Sequence, residues 1–561
     1  MNILFLSTSH NSMSQRLYVE LTERGHDVTV HTVTTDQAML EEIERVQPEL
    51  IVAPFMKTLI PESIWTSYTC LVVHPGIKGD RGPNSLDWAI MENRSEWGVT
   101  VLQATAEMDA GDIWASARFP MRPVSKSQLY RREVTNTAVR CVLQALDSMA
   151  DPSFRPEPLD YARPDVEGRL QPKLTQRERK IDWNGSTEQI ARTIRAADSH
   201  PGVLDELYGE AFYLFGAHEE DRLKGTPGEL LAVRDGAICR ATGDGAIWIT
   251  HLKPKGGFKL PAALALKDKL TSVPELPLSP FEPCEGRTFR DIYYEEADRI
   301  GYLHFPFYNG AMSTDQCERL RRAVAEIKNR PPKVLVLMGG EDFWSNGIHL
   351  NVIEHAESPA DESWANIQAM DDLVKEILLA DEFLTVSAMQ GNAGAGGVIL
   401  ALAGDYVYAR EGIVLNPHYK KMGGLYGSEY WTYLLPKRVG RERALQLTEQ
   451  CLPVGTAAAK RMGLIDDAFG ETGDAFGRTV SQLARELARR PDYDRLLADK
   501  RASRERDERT KPLQQYRDEE LARMWDNFYG SDKSYHAARR HFVYKISCIS
   551  DTPAPMVSVS R

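Results

Sequence analysis

The strongest constraint on this chain is the strand–helix alternation at its start. "NILFLS" reads as an apolar strand, "SQRLYVELTERG" as an amphipathic helix and "DVTVHTV" as a second strand. A further helix, then "LIVAPF" and "CLVVHPG", continue the series. Such β-α-β-α-β rhythm predicts a doubly wound parallel sheet. Ligands of these sheets sit at the C-terminal strand ends, so the loop after "LVV" is where chemistry is expected.

Around Gly225 the texture changes. "GTPGELLAVRDGAICRATGDGAIWITHLKP" holds short β-runs separated by Asp235-Gly236 and Asp244-Gly245, which predicts a small antiparallel barrel or sheet. The proline-rich "TSVPELPLSPFEPCEG" lacks periodicity and reads as an interdomain linker. A second α/β segment begins near Asp291, with "IGYLHFPF" and "KVLVLMGG" as strands around the helical "TDQCERLRRAVAEI". After about Thr472 the chain becomes helical and densely charged. The run "KRASRERDERTKPLQQYRDEE" reads as a solvated helical face.

Composition excludes some partners. With 80 acidic and 68 basic residues the formal charge is −12, which argues against nucleic-acid binding. A phosphate-bearing ligand would need a local basic patch. No apolar run reaches the ~18 residues of a membrane helix. The N-terminus lacks a basic start and a small-residue cleavage site, so it reads as a buried strand. The seven cysteines form no CxxC pair and no zinc-like spacing with histidine, so no metal site is expected. A reduced, cytoplasmic location fits that usage.

Two stretches carry the first candidate site: "VVHPGIKGDRGPNSLDWAI" from Val72 and "WGVTVLQATAEMDAGDIWA" from Trp97. A strand-end His can relay a proton or stabilise an oxyanion near neutral pH, and a carboxylate can orient it. Together with "LTQRERKIDWNGSTEQIARTIRAADSHPG", these stretches resemble the formyltransferases that use 10-formyltetrahydrofolate, over roughly residues 1–270. The resemblance implies His74 and Asp109 as catalytic residues, with Asp112 ranked behind Asp109, and Arg81-Gly82 and Trp88 in the family's loop and helix. The family's Asn two residues before the His is Val72 here. Asn84, Asn11 and Lys57 are candidates to replace its hydrogen bond.

The second segment resembles the enoyl-CoA hydratase/isomerase (crotonase) superfamily. "LVLMGGEDFWSNGIHLNVIE" and "SAMQGNAGAGGVILALAGDYVYARE" carry the likeness, over roughly residues 290–475. It implies an oxyanion hole for a thioester made by the N–H groups of Ile348, just after Gly347, and Gly396. The hydratase glutamates are missing: Ile399 stands at one position, and His418 and Tyr419 fall near the other. Tyr419 and His418 are candidate proton handlers, with Glu429 in "GLYGSEYW" as partner.

This module order, with "GIKGDRGPNSLDWAI" and "IVLNPHYKKMGGLYGSEYWTYLLPKRVG", resembles the HypX/HoxX family of [NiFe]-hydrogenase maturation proteins. The resemblance implies 10-formyltetrahydrofolate and coenzyme A as cofactors, and formyl-CoA that loses carbon monoxide for the hydrogenase iron. Partners would be small molecules, with other maturation proteins or the hydrogenase large subunit beyond them. Arg131, Arg132, Arg539 and Arg540 are candidate CoA contacts. The expected architecture is α/β. A Rossmann-like formyltransferase domain (1–195) and a small β domain (196–275) precede the linker (276–290). A crotonase-like domain (291–475) and a helical C-terminal extension (476–561) follow. Rival readings are a formyltetrahydrofolate hydrolase or amine formyltransferase with a separate acyl-CoA activity, and a non-catalytic scaffold.

Overall fold

A computed structural model describes residues 1–417 and 419–546. Six strands form the first sheet: β1 (Asn2–Ser7), β2 (Asp27–Thr32), β3 (Leu50–Phe55), β4 (Cys70–His74), β5 (Glu96–Gln103) and β6 (Ile113–Pro120). Their order is β2-β1-β3-β4-β5-β6. The first four run parallel, as the alternation predicts. β5 and β6 pair antiparallel, so the sheet is mixed. The cause is local: residues 104–112 join β5 to β6 as a hairpin, and hairpin strands must be antiparallel. Apolar residues of β1, β3, β4 and β5 fill the core on both faces of this sheet.

One buried charge cluster ties this domain to the segment that leaves it. Asp87, on the helix Ser85–Met91, accepts from Arg179 at 2.6 Å and from Lys126 at 2.9 and 3.0 Å. Asp87 and Arg179 are both buried.

The next sheet is antiparallel, in the order β7 (Val203–Leu207), β8 (Glu210–Glu220), β11 (Ala246–Pro254), β10 (Ala237–Ala241), β9 (Leu230–Arg234), with β12 (Leu260–Pro261) on β11. The Asp235-Gly236 pair joins β9 to β10 with φ of 47° and 80°. Positive φ at both central residues is the type I′ hairpin that Asp-Gly favours.

The third part has two sheets. The larger runs β13 (Tyr293–Ala297), β14 (Ile300–Phe305), β15 (Val334–Gly339), β17 (Leu384–Met389), β19 (Tyr406–Arg410), β22 (Asp467–Phe469). The smaller runs β16 (Phe343–Ser345), β18 (Asn392–Gly394), β20 (Val414–Asn416), β21 (Val454–Gly455). The helix Pro359–Leu378 covers this core, and helices from Gly473 to Tyr544 wrap it. Among the described residues no helix is long and apolar enough to cross a membrane.

Replacing Asp87 by Ala would leave the buried Arg179 and the half-buried Lys126 without their shared carboxylate. Breaking a buried pair this way costs about 3–5 kcal/mol. Denaturant unfolding of Asp87→Ala is expected to show that loss, and a change below ~1 kcal/mol would contradict this account of the cluster.

Candidate functional site

His74 ends β4, at the carboxyl edge of the parallel strands. It is buried and held between two carboxylates. Nε2 lies 2.8 Å from Asp80 Oδ2, and Nδ1 lies 3.4 Å from Asp109 Oδ1. Burial opposes a charge on His74, but Asp109 and then Asp80 outweigh it, so its pKa stands above the ordinary value. Asp80 lies inside the motif quoted above, yet sequence reasoning passed over it. Only the turn at Ile77, whose carbonyl accepts the Asp80 N–H, folds it back onto the ring. Asp109 takes a left-handed φ of 56°, and its Oδ2 accepts the Gly82 N–H at 3.2 Å. Asp112 is exposed, and the carboxylates at the His74 ring are those of Asp80 and Asp109.

Arg81 donates to the Met108 carbonyl and to Glu107, so it braces the segment that carries Asp109. The three candidates to replace the missing Asn differ. Asn11 is committed at both ends: Oδ1 caps the helix Ser12–Glu23 and Nδ2 donates to Tyr130. Asn84 Oδ1 accepts the Leu174 N–H. Lys57 is exposed just past β3, 5.4 Å from the Phe55 ring centroid.

The second site is built where two turns meet. Gly347 has a φ of 74°, a conformation that favours glycine, and a Cβ there would lie 3.3 Å from the Gly396 nitrogen. Ile348 and Gly396 are thus brought together. Trp344 Nε1 locks the turns by donating to the Gly397 carbonyl at 3.0 Å. A Cβ on Gly396 would lie 2.2 Å from Glu429 Oε1, so only glycine lets the carboxyl approach this turn. Glu429 Oε2 accepts from Tyr419 at 3.0 Å and from the Ser428 N–H at 3.1 Å. The structure therefore joins Ile348, Gly396, Tyr419 and Glu429 in one place. His418 lies outside the described residues. Ile399, at the hydratase position, is core.

Burial, and then the charge of Asp371, push the Glu429 pKa up to about 8. Burial and Glu429 likewise raise Tyr419. Two further buried acids were missed by sequence reasoning: Asp371 and Glu520. Glu520 belongs to the charged run read as a solvated face. That expectation is corrected here, because the residue turns inward from the helix Leu513–Tyr529 and accepts the Thr432 and Tyr430 N–H groups.

Three of the four candidate CoA arginines, Arg131, Arg132 and Arg539, are held in close ion pairs. Arg131 donates to Asp342 at 2.7 Å and to Asn309, while Arg132 donates to Glu341 at 2.8 Å. Arg540 is exposed, 3.8 Å from Glu354, and Arg539 takes the closer 2.9 Å contact with the same acid. A cavity of about 770 Å³ lies where the three parts meet, lined by Gln128, His251, Asn309, Asp342 and His349 among others. His349, the residue after Ile348, stands on its wall. Among the described residues no group of three or more His, Cys, Asp or Glu is placed to hold a metal.

Fold and sites together define a formyltransferase-type module fused to a crotonase-type module. The formyl transferase family model matches residues 31–146, its C-terminal domain model 173–269, and the enoyl-CoA hydratase/isomerase model 302–545. The hydrogenase maturation factor HoxX of Bradyrhizobium diazoefficiens is 47% identical over 551 residues, covering 97% of this chain and 95% of that protein. The crystal structure of HypX from Aquifex aeolicus in complex with tetrahydrofolic acid superposes with a TM-score of 0.94 at 49% identity, covering 97% of this chain and 96% of that one. Methionyl-tRNA formyltransferase of Roseiflexus castenholzii is 32% identical over 194 residues, which is 34% of this chain and 60% of that enzyme. The chain belongs to the HypX/HoxX family of hydrogenase maturation factors.

The raised Glu429 pKa has a testable sign. Folded Glu429 keeps its proton up to about pH 8, whereas the unfolded chain releases it near the ordinary 4.5. The stability it contributes is therefore complete below pH 4.5 and is lost as pH rises through about 8. Glu429→Gln, which mimics the protonated form, is expected to flatten the fall of stability with pH across that window in denaturant titrations. Parallel curves for the two proteins would show Glu429 to be ionised throughout.

Proposed function

We propose that the chain makes carbon monoxide for hydrogenase maturation by moving a formyl group from 10-formyltetrahydrofolate to CoA and then decarbonylating formyl-CoA. The observation that carries this reading is the pairing of a formyltransferase-type His–Asp site with a crotonase-type glycine turn against which the buried Glu429 is packed, in place of the two hydratase glutamates. The tetrahydrofolic acid bound to the Aquifex relative supports a folate donor for the first module, and the crotonase-type module supports a CoA thioester for the second.

In the first step the CoA sulfur attacks the formyl carbon on the folate nitrogen. The C–N bond breaks, the nitrogen gains a proton, and tetrahydrofolate leaves. His74 stabilises the oxyanion and relays the proton, with Asp109 and Asp80 fixing its ring. Arg131 borders the cavity through Asn309 and Asp342, a position from which it can meet the phosphates of CoA. Lys57, Arg81, Asn84, Arg132 and Arg540 remain proposed contacts for folate or CoA.

In the second step the thioester oxygen sits against the Ile348 and Gly396 N–H groups. The formyl C–H proton is removed and its electron pair becomes the carbon lone pair of CO. The C–S pair leaves with sulfur, which takes a proton to regenerate the thiol. Glu429 suits both transfers, because Oε2 is occupied by two donors and Oε1 faces the turn. It gives its proton to sulfur and recovers one from carbon, while Tyr419 holds Oε2. No water is added, so the hydratase acid–base pair is not needed.

Incubating the protein with 10-formyltetrahydrofolate and CoA is expected to release carbon monoxide, read by haem binding. His74→Ala should cut folate turnover by about 10²–10⁴-fold. Tyr419→Phe should accumulate formyl-CoA while folate turnover continues. Formate or a formylated amine without carbon monoxide would support the hydrolase or amine-formylating reading instead.

A further inference from the structure

The backbone that carries Glu429 is held in an unusual conformation. Gly427, Glu429 and Tyr430 all have positive φ, of 88°, 63° and 63°. For two successive side-chain-bearing residues this conformation is unfavourable and persists only when the surroundings over-determine it. Two buried carboxylates supply that determination. Asp371 Oδ1 accepts the Glu429 N–H at 2.7 Å, and both Asp371 oxygens accept from Ser428 Oγ. Glu520 Oε2 accepts the Tyr430 N–H at 2.9 Å, and Oε1 accepts the Thr432 N–H at 2.8 Å and its hydroxyl. The two acids come from helices far apart in sequence, Pro359–Leu378 and Leu513–Tyr529.

We propose that Asp371 and Glu520 are positioning residues of the second site, holding the Glu429 carboxyl against the oxyanion turn by accepting the N–H groups of its left-handed backbone. The inference rests on the reading of Glu429 as the proton carrier. The three acids are engaged differently. Asp371 and Glu520 accept hydrogen bonds on both oxygens, and burial raises the pKa of each as it does that of Glu429. Glu429 accepts on Oε2 only, which leaves Oε1 for a proton at the turn. Arg517 Nε, 3.7 Å from Asp371 Oδ2, is a cation that favours the charged form of Asp371. The C-terminal helices are thereby part of the site, since Glu520 lies on one of them.

The test uses the full chain with Asp371→Ala, Asp371→Asn, Glu520→Ala and Glu520→Gln. Carbon monoxide release from supplied formyl-CoA is measured, and folate turnover by the first module reports folding. Asp371→Ala is expected to lower kcat by about tenfold or more with KM within about twofold, as misplacement of a reacting group does. Asp371→Asn, whose Oδ1 still accepts the Glu429 N–H, should recover most of kcat. Equal losses in both, or a loss carried by KM, overturn the proposal. If the alanine variants do not fold, Glu520→Gln decides. Its amide nitrogen must face the Tyr430 or the Thr432 N–H, so kcat should fall in a folded protein, and wild-type kcat there overturns the proposal. Crystal structures of the variants give a readout independent of turnover: Glu429 must leave its place beside Gly396 when an acceptor is lost, and an unmoved Glu429 refutes the role. If the wild-type protein releases no carbon monoxide from formyl-CoA, the decarbonylation reading fails while these structures still decide the positioning claim.

Discussion

The joint between the modules is an arginine grip on two adjacent acids. Arg122 and Arg132 both donate to Glu341 at 2.8 Å, and Arg131 donates to Asp342 while its guanidinium stacks 4.5 Å from the centre of the Phe343 ring. Arg131 and Arg132 lie on a π-helical turn, Tyr130–Val134. Turns of this kind often mark functional sites. Residues 341–343 lead straight through β16 into the turn at Gly347 and Ile348, the proposed oxyanion turn. The grip thus sets where the second site stands relative to the first module. Partly exposed pairs of this kind add about 0–1 kcal/mol each, so their effect is one of placement more than stability. A second contact supports the same joint: Lys259 of the small β domain donates to Tyr308 of the crotonase-type module at 2.7 Å, and His251 stacks on that tyrosine.

At the second site the governing constraint is close approach. Gly396 has no side chain, so the Glu429 carboxyl occupies the space that a Cβ would take. A burial this deep keeps a carboxyl neutral unless cations or donors offset it. Asp371 and Glu520 take the backbone donors of this turn, while Glu429 holds Tyr419 and the Ser428 N–H on one oxygen and turns the other toward Gly396. Where the hydratases of this superfamily carry a glutamate this chain has Ile399 in the core, and the buried Glu429 comes instead from the turn before the helix Trp431–Val439.

Much of this was legible in the sequence. The alternation of apolar runs with amphipathic stretches foretold the first sheet, and the Asp-Gly pair foretold a hairpin, because both signals are local. His74, Asp109, Gly396, Tyr419 and Glu429 stood in ordered motifs. The antiparallel β5–β6 pair was not foretold, since strand direction depends on how residues 104–112 return. Asp80 was missed because only a folded turn brings it to His74. Glu520 was missed for a sharper reason. In "YRDEE" it looks like its neighbours, and nothing local distinguishes the one acid that points inward. The arginines at 131 and 132 were legible as a basic pair, but their acid partners lie more than 200 residues away.

The central claim is that one formyl group passes through CoA between the two sites. Rapid-quench kinetics with 10-formyltetrahydrofolate labelled in the formyl carbon test it most directly. The account predicts that label appears first as formyl-CoA, rises and decays, and reaches carbon monoxide only after that lag. Labelled carbon monoxide or formate forming without a thioester stage, and undiluted by added unlabelled formyl-CoA, would contradict it.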